Sequence, residues 1–409
     1  MKLLHISRPL RRLEVFVPGS KSISNRLLML QKTSGIPFEI CNLSESDDTK
    51  LLSRLLPLTD NPSYGDPVCL CCENCGTAYR FLCACLACRQ GIWILEGDEY
   101  MYKRPVKALV DTLMGAGADI VYLRQTGFPP LQIKGKQLYM DRLKINSRQS
   151  SQYVSALSLI LPSLQQDCRI EFSTNTASLS YIDMTIDLMQ QAGFSIFRKE
   201  NVLVYQNKVR TDAPSSFLVE YDWSAAAVWF VLAAVASHAD IFIHGLQKSR
   251  LQSDAVIVQW MQTFGVQTLY TEQGVRIVKT EHRQPSCFIV DCKDNPDLVP
   301  YLATLCVGLK LEARLKNIGN LLFKETNRIE VLTTELGKIA LVSYIGKDIV
   351  IEPFAGEFPD TICFSSHNDH RMAMAFSVLA YCIENVYIHN PDCTAKSYPN
   401  YWENFLLFS

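Results

Sequence analysis

Four stretches of the chain carry apolar residues at helical spacing, stop on a small residue, and give way to an apolar, β-branched segment. They are residues 110–117, 186–193, 258–265 and 333–340. Their ends fall at Gly117, Gly193, Gly265 and Ala340, a recurrence of 72 to 76 residues. Apolar positions three and four apart share one helix face. Glycine most readily takes the left-handed cap that ends a helix, so Ala340 is the weak copy.

A second series alternates with the first: a polar turn followed by a small, apolar helix. Its turns are Lys21 and Ser22, residues 74–77 (Asn-Cys-Gly-Thr), Ser150 and Ser151, residues 222–224 (Asp-Trp-Ser), Pro296 and Asp297, and residues 369–371 (Asp-His-Arg). Ser, Thr, Asn and Asp there supply side-chain oxygens that satisfy the free N–H groups of a first helical turn. The longest apolar run, residues 225–236, is too short to cross a bilayer as a helix and reads as a buried core helix. Segments such as 241–245 (Ile-Phe-Ile-His-Gly) and 349–352 (Ile-Val-Ile-Glu) read as strands. The pattern predicts about six copies of a strand–helix unit, grouped as two domains of three, with apolar helices packed inside sheets.

Composition narrows the field. The chain has 409 residues, 48% hydrophobic and 20% charged, an ordinary globular balance. Lys plus Arg is 40 against 41 Asp plus Glu. The basic excess expected of a nucleic-acid binder is absent. Residues 1–12 hold no apolar core of signal-peptide length. A cytoplasmic protein with reduced thiols is expected, and the 15 cysteines read mostly as core filler.

Zinc is the rival reading for those cysteines. Two CxxC pairs, Cys72 with Cys75 and Cys85 with Cys88, are nine residues apart, closer than zinc ribbons space their knuckles. Cys83, Cys85 and Cys88 interleave with apolar residues in one helix, which favours packing over ligation, so no metal is expected. No HExxH is present, no Ser-His-Asp order is evident, and no GxGxxG follows a strand. Metalloprotease, triad and nicotinamide chemistry drop out.

What remains is anion binding. Helix N-termini carry partial positive charge and free N–H groups, and several such ends facing one place make a phosphate site. Residues 17–26 (Val-Pro-Gly-Ser-Lys-Ser-Ile-Ser-Asn-Arg) open a helix with Lys21 and Arg26, without the Gly-Lys of a Walker loop. Residues 74–80 (Asn-Cys-Gly-Thr-Ala-Tyr-Arg) add Gly76, where a ligand can approach the backbone, and Arg80. Arg104 stands before a proline. Ser150, Ser151, Gln152, Ser178 and Tyr181 offer hydroxyl and amide partners for a polyhydroxylated ligand. Lys324 and Arg328, four apart, are expected on one helix face beside Glu325. Asp369, Arg371 and the Cys-Thr-Ala-Lys ending at Lys396 complete the set.

These motifs, in this order over nearly the whole chain, resemble the enolpyruvyl transferase family, in its shikimate branch. The pieces that carry the resemblance are residues 18–26, 150–156, 181–185, 324–328, 369–374 and 393–396. It implies an α/β fold of two lobes, each of three repeated strand–helix units with buried parallel helices, an inside-out α/β barrel, with the active site in the cleft between them. Residues 1–19 plus 220–409 would form the lobe carrying the catalytic acid and base. Residues 20–219 would carry most shikimate 3-phosphate contacts.

The implied reaction transfers the enolpyruvyl group of phosphoenolpyruvate to the 5-hydroxyl of shikimate 3-phosphate, releases phosphate, and serves chorismate and aromatic amino acid biosynthesis. By the same resemblance Asp297 matches the proton acceptor and Glu325 the proton donor, and Lys21 is expected to be catalytic with them. Lys21, Gly76, Arg104, Gln152, Arg328, Arg371 and Lys396 match phosphoenolpyruvate contacts, with Asn74 beside them. Ser22, Arg26, Ser150, Ser151, Ser178, Asn320 and Lys324 match shikimate 3-phosphate contacts, with Tyr181 nearby. No cofactor is implied, and a monomer is expected.

Several positions depart from the family pattern: Glu73 and Cys75 in the glycine loop, Leu322, Ala340, and the Leu179-Ser180 linker between Ser178 and Tyr181. An unpaired carboxylate at Glu73 would oppose anion binding. The sister enzymes acting on a UDP-amino sugar use a reactive cysteine in a mobile loop, and no cysteine lies between Cys88 and Cys168 here. A catalytically dead relative would be expected to lose its acids and bases first, and Asp297, Glu325, Lys21 and Lys396 are all present.

Overall fold

The computed structural model describes residues 1–6, 10–60, 65–210, 212–281 and 283–407. Six apolar helices form the interior: α1 (Lys21–Ser34), α2 (Gly76–Ala87), α3 (Gln152–Leu164), α4 (Trp223–Val235), α5 (Val299–Gly308) and α6 (His370–Ser377). They are the second series of the sequence pattern. Every residue of α4 and α6 is buried, and in α2 only Thr77 is not. A helix that is apolar all round has no solvent face to offer, so it is stable only when enclosed.

Side-chain oxygens cap two of these helices, while the N-cap residues of α3 and α5 make no side-chain cap bond. Asp222 accepts from Ala225 N at 2.9 Å and Asp369 from Arg371 N at 2.9 Å. At α2 the cap is Cys75, whose sulfur accepts from Ala78 N at 3.4 Å. The thiol that departs from the family pattern thus stands in for the usual hydroxyl, more weakly.

The chain divides into two compact units. One comprises Lys21–Ser44 and Asp48–Val219, the other Met1–Ser20, Glu45–Asp47 and Glu220–Ser409. In the first, α1, α2 and α3 pack on one another. A four-stranded sheet runs Val68–Cys71, Gly91–Glu96, Leu131–Gly135, Asp119–Tyr122 in spatial order, and a second runs Arg142–Ile145, Cys168–Phe172, Val202–Val209, Phe194–Lys199. Each begins with a parallel pair and continues antiparallel. The third repeat keeps only a parallel pair, Glu39–Cys41 with Ser216–Leu218.

The other unit repeats the plan around α4, α5 and α6. Its four-stranded sheets run Leu10–Phe16, Ala239–His244, Gly274–Lys279, Gln267–Thr271 and Cys287–Asp291, Glu312–Lys316, Asp348–Ile351, Val342–Ile345. A three-stranded sheet joins Thr361–Ser365, Asn385–His389 and Lys2–Leu4. Strands alternate buried and exposed residues, as in Arg142–Ile145 and Cys168–Phe172, so one face of each sheet packs on helices and the other meets solvent.

The outer helices end as the first sequence series predicts. Gly117, Gly193 and Gly265 have φ of +96°, +89° and +82°. Ala340 has no left-handed backbone; that helix stops at Leu336 with Gly337 in a right-handed cap.

Two expectations are corrected. Lys324 and Arg328 do not share a helix: Lys324 is extended, ending the short turn Gly319–Phe323, and the helix Arg328–Leu336 starts only after Asn327 caps it. Capping by Asn327, whose side chain accepts from Glu330 N, is what sets the later start. The cysteines are also less uniformly buried than expected. Cys72, Cys75, Cys83, Cys85, Cys168, Cys292 and Cys306 are buried, but Cys69, Cys71, Cys287 and Cys363 are exposed on strands. Strand alternation turns these four outward.

Candidate active site

In the unit built on α1, α2 and α3, the helix starts bring cations together with neutral oxygens. Arg26 is 3% exposed and meets no carboxylate among the described residues. Its Nε donates to Thr185 Oγ1 at 2.8 Å, Nη1 to the Ser22 carbonyl at 2.9 Å, and Nη2 to the Tyr181 carbonyl at 3.2 Å and Ser155 Oγ at 3.3 Å. Burial lowers its pKa to about 10, against the opposing pull of Tyr181. A guanidinium buried among neutral acceptors still lacks a counter-charge, and a bound anion supplies one. Lys21 Nζ pairs with Asp48 at 2.9 Å.

Arg80, on α2, donates to Gln152 Oε1, whose Nε2 donates in turn to Thr77 Oγ1 at 3.1 Å. Gln152 N is held by Ser150 Oγ at 3.2 Å, and Ser151, 6% exposed, stands at the start of α3. Arg104 lies against Gly76, with Nη1 directed to the Asn74 carbonyl at 3.3 Å. Ser178 takes a left-handed conformation, φ +60°, at the head of the helix Leu179–Gln191 that carries Tyr181. Glu73 faces away from these groups: its carboxylate pairs with Arg54 at 3.3 Å, both side chains more than half exposed.

In the other unit the centre is Arg328, 1% exposed. Nε and Nη2 grip Asp369 at 2.8 and 3.1 Å, Nη1 reaches Asp297 at 2.8 Å, and Nη2 reaches Glu325 at 3.1 Å. Lys324 Nζ is 3.2 Å from the same Asp297 oxygen. Burial opposes the Asp297 charge, but Lys324, Arg371 and Arg328 outweigh it and hold the carboxyl well below the usual range. Burial likewise opposes the Arg328 charge, and Asp369, Glu325 and Asp297 overcome it. Arg371, on α6, is buried and donates to the Ser224 carbonyl at 2.8 Å and Tyr301 Oη at 3.4 Å.

The structure therefore joins Asp297, Lys324, Glu325 and Arg328 in one hydrogen-bonded group. Asn320 lies on the turn Gly319–Phe323 and Lys396 closes the turn Pro391–Lys396; neither is among the four hydrogen bonds of Arg328. Leu322 is 40% exposed on the first of these turns. Sequence reading missed the groups that hold these side chains: Ser155, Thr185, Asp48 and, beside Asp297, Asp254. Ser155 and Thr185 lie within the segments 150–156 and 181–185 that carry the resemblance, but were assigned no role there. Asp254 is 2% exposed, accepts from Asn295 Nδ2 at 3.0 Å and bonds Ser224 Oγ. Among the described residues no group of three or more His, Cys, Asp or Glu side chains has metal-site geometry, and no helix is long and apolar enough to cross a membrane.

Two units of repeated strand–helix–strand architecture with buried helices and charged helix starts define a fold shared with solved enolpyruvyl transferases. The chain superposes on an EPSP synthase from Acinetobacter baumannii with a TM-score of 0.75 at 20% identity, covering 100% of this chain and 98% of that one. It superposes on the enolpyruvyl transferase NikO from Streptomyces tendae with a TM-score of 0.73 at 13% identity, covering 99% and 96%. These likenesses carry the fold. Sequence comparison carries more. A 3-phosphoshikimate 1-carboxyvinyltransferase from Bacteroides fragilis is 34% identical over 395 residues, 95% of this chain and 93% of that protein. One from Colwellia psychrerythraea is 31% identical over 420 aligned positions, covering 97% and 96%. The family profile of EPSP synthase (3-phosphoshikimate 1-carboxyvinyltransferase) matches residues 9–405, and the chain belongs to that family.

Proposed function

We propose that this protein transfers the enolpyruvyl group of phosphoenolpyruvate to the 5-hydroxyl of shikimate 3-phosphate and releases phosphate. The supporting observation is the hydrogen-bonded group of half-buried Asp297, Glu325 and Lys324 around the buried Arg328, in a chain of this family. The addition step needs a base for the hydroxyl proton and an acid for the methylene carbon, with cations where anionic charge gathers.

Asp297 takes the hydroxyl proton as the oxygen bonds to C2 of phosphoenolpyruvate, and Glu325 delivers a proton to C3. The tetrahedral adduct then loses a C3 proton and phosphate. Lys324 and Arg328 keep Asp297 ionised across the neutral range, so it always starts as an acceptor. An arriving substrate anion that draws on Lys324 or Arg371 weakens that hold and raises the basicity of Asp297. Arg26, Ser22, Ser150, Ser151, Ser178 and Tyr181, with Asn320 and Lys324, hold shikimate 3-phosphate. Lys21, Asn74, Gly76, Arg104, Gln152, Arg371 and Lys396 serve phosphoenolpyruvate. Arg328, with four hydrogen bonds committed to carboxylates, orients the acid and base in addition to any substrate contact.

The protein works in the cytoplasm as a monomer; its 15 cysteines are all free thiols, which suits a reducing compartment. The test is phosphate release by the purified protein. It is expected only when both substrates are present, and no release above blank at saturating substrate overturns the assignment.

A further inference from the structure

We infer that Asp254 is a positioning residue for the proposed reaction, holding Asp297 through Asn295 and Arg371 through Ser224. The inference rests on the function proposed above. Asp254 sits on the short turn Ser253–Val256, outside every motif that carries the family resemblance. Among the described residues its buried carboxylate has no ion-pair partner within salt-bridge distance, a costly placement unless it does something an amide or a methyl cannot.

Both of its oxygens accept. Asn295 Nδ2 donates to Oδ1 at 3.0 Å, and Ser224 Oγ bonds Oδ2. Each partner leads directly to the chemistry. Asn295 immediately precedes the turn Pro296–Leu298, which carries Asp297. The Ser224 carbonyl accepts from Arg371 Nη1 at 2.8 Å. One side chain thus fixes two working groups that come from different elements, the turn Pro296–Leu298 and α6.

Only the ionised form can do this with both oxygens. Once Asp254 is protonated, Ser224 must turn and accept, and the fork is lost. Burial raises the Asp254 pKa to about 6, the Asp297 charge adds to the rise, and the bonds from Ser224 and Asn295 with the charge of Arg371 oppose it. The charged groups acting on it are therefore Asp297, from the turn Pro296–Leu298, and Arg371, from α6. Asp222 heads α4 two residues before Ser224, with its own oxygen committed to Ala225 N.

Asp254→Asn removes the charge and leaves one acceptor, imitating the protonated state at every pH. Both substrates carry phosphates that titrate near the same pH, so the useful quantity is the ratio of wild-type to variant kcat, in which substrate ionisation cancels. The expected ratio is near one at pH 5 and about tenfold at pH 8, the scale on which outer partners of a reacting group act. Asn295→Ala takes away one donor to the ionised form, and its own acid limb is expected to move to higher pH; that shift tests the idea even if the Asp254 variant folds poorly. A ratio that is flat across pH at any value, with the Asn295→Ala limb unmoved, overturns the inference, because a purely structural role costs the same at every pH. Wild-type protein that releases no phosphate at any pH overturns instead the function on which the inference rests.

Discussion

Gly76 is the position where adding one carbon has the most readable consequence. A Cβ built there lies 2.7 Å from Arg104 Cζ and Nη2 and 2.8 Å from Nη1. Ordinary van der Waals contact begins near 3.4 Å, so the guanidinium must retreat by roughly 0.7 Å, the difference between the two distances. Arg104 has little room: it is 5% exposed, and its Nη1 is held by the Asn74 carbonyl at 3.3 Å and Asn74 Oδ1 at 3.4 Å. Both bonds are long and individually weak. Giving up one or both costs about 1–3 kcal/mol of Arg104 placement, which is about 5-fold to 150-fold in affinity for the ligand Arg104 grips. Gly76 itself has no left-handed φ, so the backbone tolerates alanine and the effect is confined to the ligand side. Steady-state kinetics of Gly76→Ala are expected to show KM for phosphoenolpyruvate raised by that factor, KM for shikimate 3-phosphate unchanged and kcat within about threefold. An unchanged phosphoenolpyruvate KM, or an equal rise for both substrates, refutes the reasoning.

Asp297→Ala and Glu325→Gln are each expected to lose at least roughly 10²-fold in turnover, the scale of acid–base groups; near-normal single-turnover rates in either remove that residue from its role. Arg328→Lys keeps the charge but cannot grip Asp369 with two nitrogens while reaching Asp297 and Glu325. A drop of about tenfold or more in kcat is expected, with a lower melting temperature in calorimetry. Asp254→Asn is expected to stabilise the fold while slowing the enzyme. The folded-state pKa of Asp254 is raised from 3.8 to about 6, so between those values the folded chain binds more protons than the unfolded one, and wild-type stability falls as pH rises. The variant escapes a loss of up to about 3 kcal/mol, complete above pH 6, and denaturant melts at pH 4 and pH 8 measure it. Equal stability differences at both pH values contradict that sign. Cys75→Ala removes a weak thiol cap and is expected to cost about 1 kcal/mol, read from the urea midpoint.

The helical interior was legible because each helix announces itself locally. Asp222, followed by apolar residues 225–236, reads as a cap on a buried helix, and α4 has no exposed residue. Gly117, Gly193 and Gly265 take the left-handed cap that glycine permits. Lys324 and Arg328 misled because a spacing of four suggests a helix, whereas Asn327 caps between them and delays the start. That Arg328 joins Asp297, Glu325 and Asp369 follows from three separate elements meeting, which no local spacing encodes. Asp254 was silent for another reason. An acid in a short turn is usually solvated, and the 2% exposure of Asp254 and its bonds to Ser224 and Asn295 arise only in the folded tertiary structure.

The strand Leu10–Phe16 pairs in parallel with Ala239–His244, so one edge of a sheet is made early in synthesis and its partner more than two hundred residues later. The intervening unit needs Ser216–Leu218 beside Glu39–Cys41 to close its own third sheet, and that strand also comes at the end of its segment. A growing chain must therefore carry its first strand unpaired while an entire α-helical core assembles behind it. An unpaired strand edge is an invitation to other chains. The charged positions Arg12 and Glu14 within Leu10–Phe16 lower that risk during the wait. Slow emergence, or temperatures that favour aggregation, should then tax the yield of this protein far more than its final stability.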